Sequence, residues 1–116
     1  MKFVYYQHND KTFAELSSNN LEINDTSDFL DIMANAGSSN LLIHRNQLAK
    51  EFYDLNSGMA GELLQKVSNY GVRLGIIGDH TDFDAGSMHD FIYESNRNGQ
   101  IVFASQPEEA MNLMVS

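Results

Sequence analysis

The chain opens on an aromatic, β-favouring run, "KFVYY", then the turn-forming "QHNDK", then "TFAEL", where apolar and polar positions alternate. This pattern predicts a β-hairpin. "SSNN" breaks it, and "LEI" is expected as a short edge strand or a loop that packs two side chains. In "NDTSDFLDIMANAG" the apolar spacing becomes helical: Phe29, Ile32, Met33 and Ala36 share one face. Asp25 or Thr26 stands where a cap belongs, and Gly37 where the helix should stop. "NLLIH" predicts a buried strand. From Gln47 to Leu55 the pattern is irregular, with Leu48, Phe52, Tyr53 and Leu55 placed to tuck a loop or one helical turn onto the sheet.

A second helix is expected from near Ser57 to Gly71, with Ala60, Leu63, Leu64, Val67 and Tyr70 as its apolar stripe. "VRLGIIG" is almost continuously apolar, as in a strand covered on both faces. After the loop "DHTDFDAG", Ser87 and Asp90 form a capping pair for a third helix carrying Met88, Phe91, Ile92 and Ser95 inward and stopping at Gly99. "IVFAS" is the last strand. Ser105 with Glu108 is a second capping pattern, Pro107 suits the first turn, and "EEAMNLM" is the closing helix. A hairpin followed by strands alternating with helices implies a mixed, mostly parallel sheet in an α/β fold, with about four helices and one face covered more than the other.

The 116 residues suit a single domain spanning 1–116, and the 42% of hydrophobic residues suffice for a core without staples. With no cysteine, thiolate chemistry and disulfides are excluded, and a cytoplasmic location is expected. A formal net charge of −9 and scattered Lys and Arg argue against nucleic-acid or anionic-membrane partners. No apolar run approaches the roughly 20 residues a membrane span needs.

"YDLNSGMAGELLQK" sets Ser57 before Gly58 at a helix start. Asp54-Leu55-Asn56-Ser57-Gly58-Met59, with the downstream "NYGVRLGIIG" and "PEEAMNLM", resembles the STAS fold of bacterial anti-sigma-factor antagonists over residues 38–114. There the second helix begins Asp-Ser-Ser-Gly-aliphatic, and a partner kinase phosphorylates the serine before the glycine. Ser57, Gly58 and Met59 match the end of that motif, while Asp54 stands one residue further from the serine and the preceding segment is longer. A second resemblance, nearly continuous from Leu48 to Phe103, is to the bacterial domain of unknown function 4180, whose members look like "FYDLNSGMAGELLQKVSNYGVRLGIIGD" followed by "DFIYESNRNGQIVF". That family brings no established activity. The STAS resemblance implies a STAS-like α/β domain that binds a protein partner through Asp54, Asn56, Ser57, Gly58 and Met59, with Ser57 as a phosphorylation switch. A phosphate there would be favoured by the helix N-terminus. On the residues alone, Asn56 or Ser57 is equally a simple N-cap, with Gly58 and Gly61 allowing close packing.

Other chemistry is thinner. Asp79, His80, Asp82 and Asp84, with His89 and Asp90 beyond, offer oxygen and imidazole ligands at the carboxyl end of a central strand, though not at EF-hand spacing. Residues of this type in a turn are also ordinary caps. Glu62 and Glu94 are acid–base candidates if one cleft holds both; otherwise Glu94 belongs to a helix-surface charge cluster. His44 and Arg45 are read as a strand terminus. No dinucleotide, Walker or nucleophile-elbow motif is present, and no cofactor or metal is expected. The alternative to an interaction module is a small-ligand- or metal-binding domain, or an enzyme, using Glu62, Asp79, His80 and Glu94. An aromatic edge strand also allows a homodimer.

Overall fold

Asn9 and Asp10 both take the left-handed backbone, at φ 50° and 64°, a conformation these two residue types tolerate best after glycine. They form the two-residue turn that joins β1 (Phe3–His8) to β2 (Lys11–Leu16) as an antiparallel hairpin. The computed structural model describes residues 1–18 and 22–115; the expectations for Asn19, Asn20 and Leu21 lie outside the described residues. Ile23 forms a parallel bridge with Leu48.

The rest alternates as predicted: α1 (Thr26–Ala36), β3 (Asn40–His44), α2 (Met59–Asn69), β4 (Arg73–Ile77), α3 (Gly86–Asn98), β5 (Ile101–Ala104) and α4 (Pro107–Val115). The strands lie in sequence order, β1-β2-β3-β4-β5, and every pairing after the hairpin is parallel. Crossovers between parallel neighbours share one hand, so sequential order puts α1, α2 and α3 on the same face. Ala14, Leu16, Leu41, Ile43, Leu74, Ile76, Ile101 and Phe103 point to that face and meet Phe29, Ile32, Ala36, Ala60, Leu63, Val67 and Met88. The alternate positions Phe13, Leu42, Val102 and Ala104 point the other way and meet Ala110, Met111 and Met114 of α4. Unequal cover of the two faces therefore follows from the strand order. Gly75 lets α4 approach: a Cβ there would lie 2.8 Å from Leu42 Cδ2 and 3.1 Å from both Ala110 Cβ and Met114 Sδ.

Local details depart from the sequence expectations at helix starts. Asp25 caps α1, its side chain accepting Asp28 N–H. The N-cap of α2 is Gly58, at φ 80°, not Asn56 or Ser57. A Cβ on Gly58 or Gly61 would meet nothing within 4 Å. These glycines therefore form no packing seam; buried Ala60 makes the contact. Tyr70 stands 59% exposed at the end of the stripe, just beyond the helix. α3 begins at Gly86 after an N-cap Ala85 without a side-chain cap bond, so Ser87 and Asp90 do not cap it. In α4 the reach-back is made by Glu109, which accepts Ser105 N–H at 3.0 Å, rather than by Glu108. Pro107 is the first helical residue, as expected.

The β5 edge is closed by α3. Ser95 Oγ donates to Ile101 C=O. Asn96 accepts Phe103 N–H at 2.7 Å and donates to Phe103 C=O at 3.2 Å. One side-chain amide thus pairs β5 as a further strand would.

Candidate functional site

After β3 the chain makes three 3-10 turns, Arg45–Gln47, Lys50–Tyr53 and Leu55–Ser57. Their anchors are the apolar residues picked out from the irregular stretch: Phe52 is fully buried and Leu48 nearly so. Gln47, buried, donates to Leu16 C=O and accepts His44 N–H. This loop is therefore bound to the core from below while its outer residues, Asp54, Asn56, Ser57 and Gly58, face solvent.

Asp54 accepts Asn56 N–H at 3.0 Å, and Ser57 N–H donates to Asp54 C=O at 3.0 Å. The Ser57 hydroxyl lies 2.5 Å from Glu51 C=O and 2.7 Å from Asp54 C=O, so its single proton goes to one of these carbonyls. Its oxygen accepts Met59 N–H at 3.2 Å. All of these bonds go to backbone, so the serine–imidazole pair of a nucleophilic hydrolase is not formed. The arrangement instead holds an exposed hydroxyl in fixed orientation at the start of an 11-residue helix.

A second region gathers on the carboxyl edge of the sheet. β4 leads to α3 on one face and β5 to α4 on the other, so their loops diverge and leave a crevice, the usual place for ligands in an open parallel sheet. It encloses about 470 Å³ and is lined by Gly78, Asp79, His80, Thr81, Phe103, Ala104, Ser105, Gln106 and Glu109. Arg45 organises its rim. The guanidinium donates to Asp79 C=O, meets both Asp82 carboxylate oxygens at 2.6 Å, and lies over the Tyr53 and Phe83 rings at 5.0 and 4.6 Å. Hydrogen bonding to Arg45 holds Asp82 below the usual carboxylate range, and Asp82 in turn raises Arg45. Asp79 is lowered by the Thr81 hydroxyl and N–H. Burial raises the Tyr53 phenol, whose hydroxyl donates to Arg45 C=O at 3.0 Å.

His80 stands edge-on to Phe103 at 5.3 Å, with Nε2 3.3 Å from Ile76 C=O and a buried Nδ1 that has no partner. Burial lowers its pKa from 6.5, because a second proton would sit on a nitrogen without an acceptor.

The predicted residues do not form one site. Asp79 and His80 share the crevice. Glu62 accepts from Thr26 Oγ1 at 3.2 Å. Glu94 lines a groove between α2 and α3 and pairs with Arg97 at 3.7 Å, as the charge-cluster alternative has it. Among the described residues no three His, Asp or Glu side chains are grouped as metal ligands would be. Sequence reasoning missed the clamp at Arg45 and a polar line on the α4 face, where Glu15 meets the Tyr6 hydroxyl at 2.5 Å and His44 Nε2 at 2.6 Å. Its only signal was alternation, which puts all three on one face of the sheet. Among the described residues no helix is long and apolar enough to cross a membrane.

The model of the family described as a domain of unknown function (DUF4180) matches residues 8–114. This chain belongs to the DUF4180 family. No curated protein and no solved structure matches it.

In this DUF4180 domain His80 gives the crevice a pH signature. Its folded pKa lies below 6.5, so on acidification the unfolded chain takes up the proton first. The stability this group contributes is complete above about pH 6.5 and is lost as pH falls from there through the folded value. Asp79 and Asp82, lowered from 3.8, lose theirs only in more acidic solution. Urea unfolding across this range should show a smaller acid loss in His80→Asn than in the wild type; equal losses would mean that His80 titrates alike in both states.

Proposed function

We propose that this domain is a non-enzymatic protein-protein interaction module of the STAS type, working in the bacterial cytoplasm. Its partner surface centres on Asp54, Asn56, Ser57, Gly58 and Met59, and phosphorylation of Ser57 switches it. The observation that supports this reading is the turn itself: an exposed serine whose hydroxyl and amide are held by backbone, ahead of a left-handed glycine and a helix start. Such a surface is rigid before a partner arrives, which lowers the cost of ordering it on binding. A phosphate would remove the proton that the hydroxyl gives to Glu51 or Asp54 C=O and set about two negative charges beside both carbonyls. The turn would have to open, and an acidic partner face would be repelled.

The alternative, a small-ligand- or metal-binding domain or enzyme, would use the β4–β5 crevice, where Asp79 and His80 lie. It is less well supported, because Asp79 and Asp82 are already engaged by Thr81 and Arg45.

The test compares tagged wild-type protein with Ser57→Ala and Ser57→Asp at matched melting temperature. Companions captured from the source cells are quantified by mass spectrometry, and Ser57 is examined for phosphate. A companion retained by wild type and Ser57→Ala should fall about tenfold with Ser57→Asp, within the range of ordinary switching free energies. Equal recovery by all three would remove the switch.

A further inference from the structure

The two edges of the sheet are treated differently. Ser95 and Asn96 close the β5 edge. β1, at the other edge, pairs with β2 without interruption from Phe3 to His8, and it contains no proline, Asp, Glu, Lys or Arg. Charged side chains, prolines and bulges are the usual means of keeping an edge from pairing. Their absence from this strand stands out in a chain of net charge −9.

The backbone fixes which groups are offered. Ser17 N–H donates to Lys2 C=O at 2.9 Å. Antiparallel ladders alternate bonded and non-bonded pairs, so Val4, Tyr6 and His8 bond inward to β2. Phe3, Tyr5 and Gln7 turn their N–H and C=O outward.

We propose that two copies of this chain associate through β1, antiparallel, about a twofold axis at Tyr5, to give one continuous sheet. The outward residues are self-complementary in this register: Tyr5 pairs with Tyr5 of the second copy, and Phe3 with its Gln7. On the α4 face Val4, 44% exposed, falls opposite Tyr6 of the second copy. On the other face the two Tyr5 rings, each 53% exposed, stand side by side as an aromatic cross-strand pair. Lys2 comes opposite His8 of the second copy, beside the turn that carries Asp10 and Lys11. The symmetry makes each copy supply both halves of every contact, and this favours a second copy over an unrelated strand.

The experiment uses the full chain. Sedimentation over a broad concentration series should give a species of twice the 13.0 kDa chain mass that dissociates on dilution. In that dimer the amides of Phe3, Tyr5 and Gln7 should exchange with solvent as slowly as those of Val4, Tyr6 and His8. Tyr5→Lys places like charges across the axis and should give a monomer in which only the outward amides exchange fast. Val4→Lys should do the same without touching the hydrogen bond from Tyr5 to Ala36 C=O, and it decides the matter should Tyr5→Lys misfold. A wild type that stays monomeric throughout, or a dimer that survives the substitutions, would overturn the proposal.

Discussion

Phe52→Ala should destabilise the domain by about 3–5 kcal/mol, the range for removing a buried aromatic ring. Phe52 is fully buried, edge-on to Tyr53 at 5.0 Å and tilted against Phe103 at 6.4 Å. It is also the main apolar anchor of the three 3-10 turns, a segment short of regular backbone pairing. The ring's loss therefore acts twice: it leaves a cavity above β5, and it frees the loop that orients both Arg45 and the Ser57 turn. Denaturant unfolding would measure the first effect as a lower midpoint. Faster amide exchange at Asp54, Ser57 and Gly58, beyond the global change, would measure the second. An unfolding midpoint like that of wild type would show that the turns are held by their own hydrogen bonds.

Asn96→Ala should cost about 1–3 kcal/mol, the range for stranding a buried polar group. The substitution removes a single side chain but strands both the N–H and the C=O of Phe103. The distinguishing observation is local. The Phe103 amide should exchange much faster in Asn96→Ala while its neighbours in β5, bonded to β4, keep their protection. A uniform change along β5 would mean that Asn96 stabilises only by filling space. Opening this edge also gives the sheet a second unpaired strand, so the variant should be more prone to associate.

The elements that sequence could locate are those whose signal is periodic and local. β3, β4 and β5 were legible as short apolar runs, α1 as a stripe from Phe29 to Ala36. Even the buried Leu48 and Phe52 were legible, since four apolar residues in a polar stretch must go somewhere. Helix starts were less so. The motif at Ser57 reads as a recognition or phosphorylation site, or as an N-cap at Asn56 or Ser57 with glycines for close packing. Only the backbone, with left-handed Gly58 itself at the N-cap and open space around Gly58 and Gly61, shows that the cap lies further on and that the glycines form no seam. Both capping patterns further along missed for a related reason: where the chain leaves a strand decides which residue becomes the first of the helix. The sites were least legible. Arg45 meets Asp82, Glu15 meets His44, and Glu62 meets Thr26 across separations of 37, 29 and 36 residues. No local pattern marks such partners. Glu62 and Glu94 do not share a cleft because α2 turns Glu62 toward Thr26 of α1, while Glu94, on α3, lines the groove on the other side of α2.

The sequential strand order has a consequence for how the chain is made. Each strand joins the one that precedes it, so the sheet can extend outward from the hairpin as residues emerge during synthesis, with no gap held open for a later strand. One core matures this way, since α1, α2 and α3 each arrive between the strands they cover. The other does not. Phe13, Leu42 and Val102 wait for a helix that begins at Pro107. Until α4 has emerged, a nascent chain carries a finished front and a bare, apolar back. That interval is when a chaperone has something to hold.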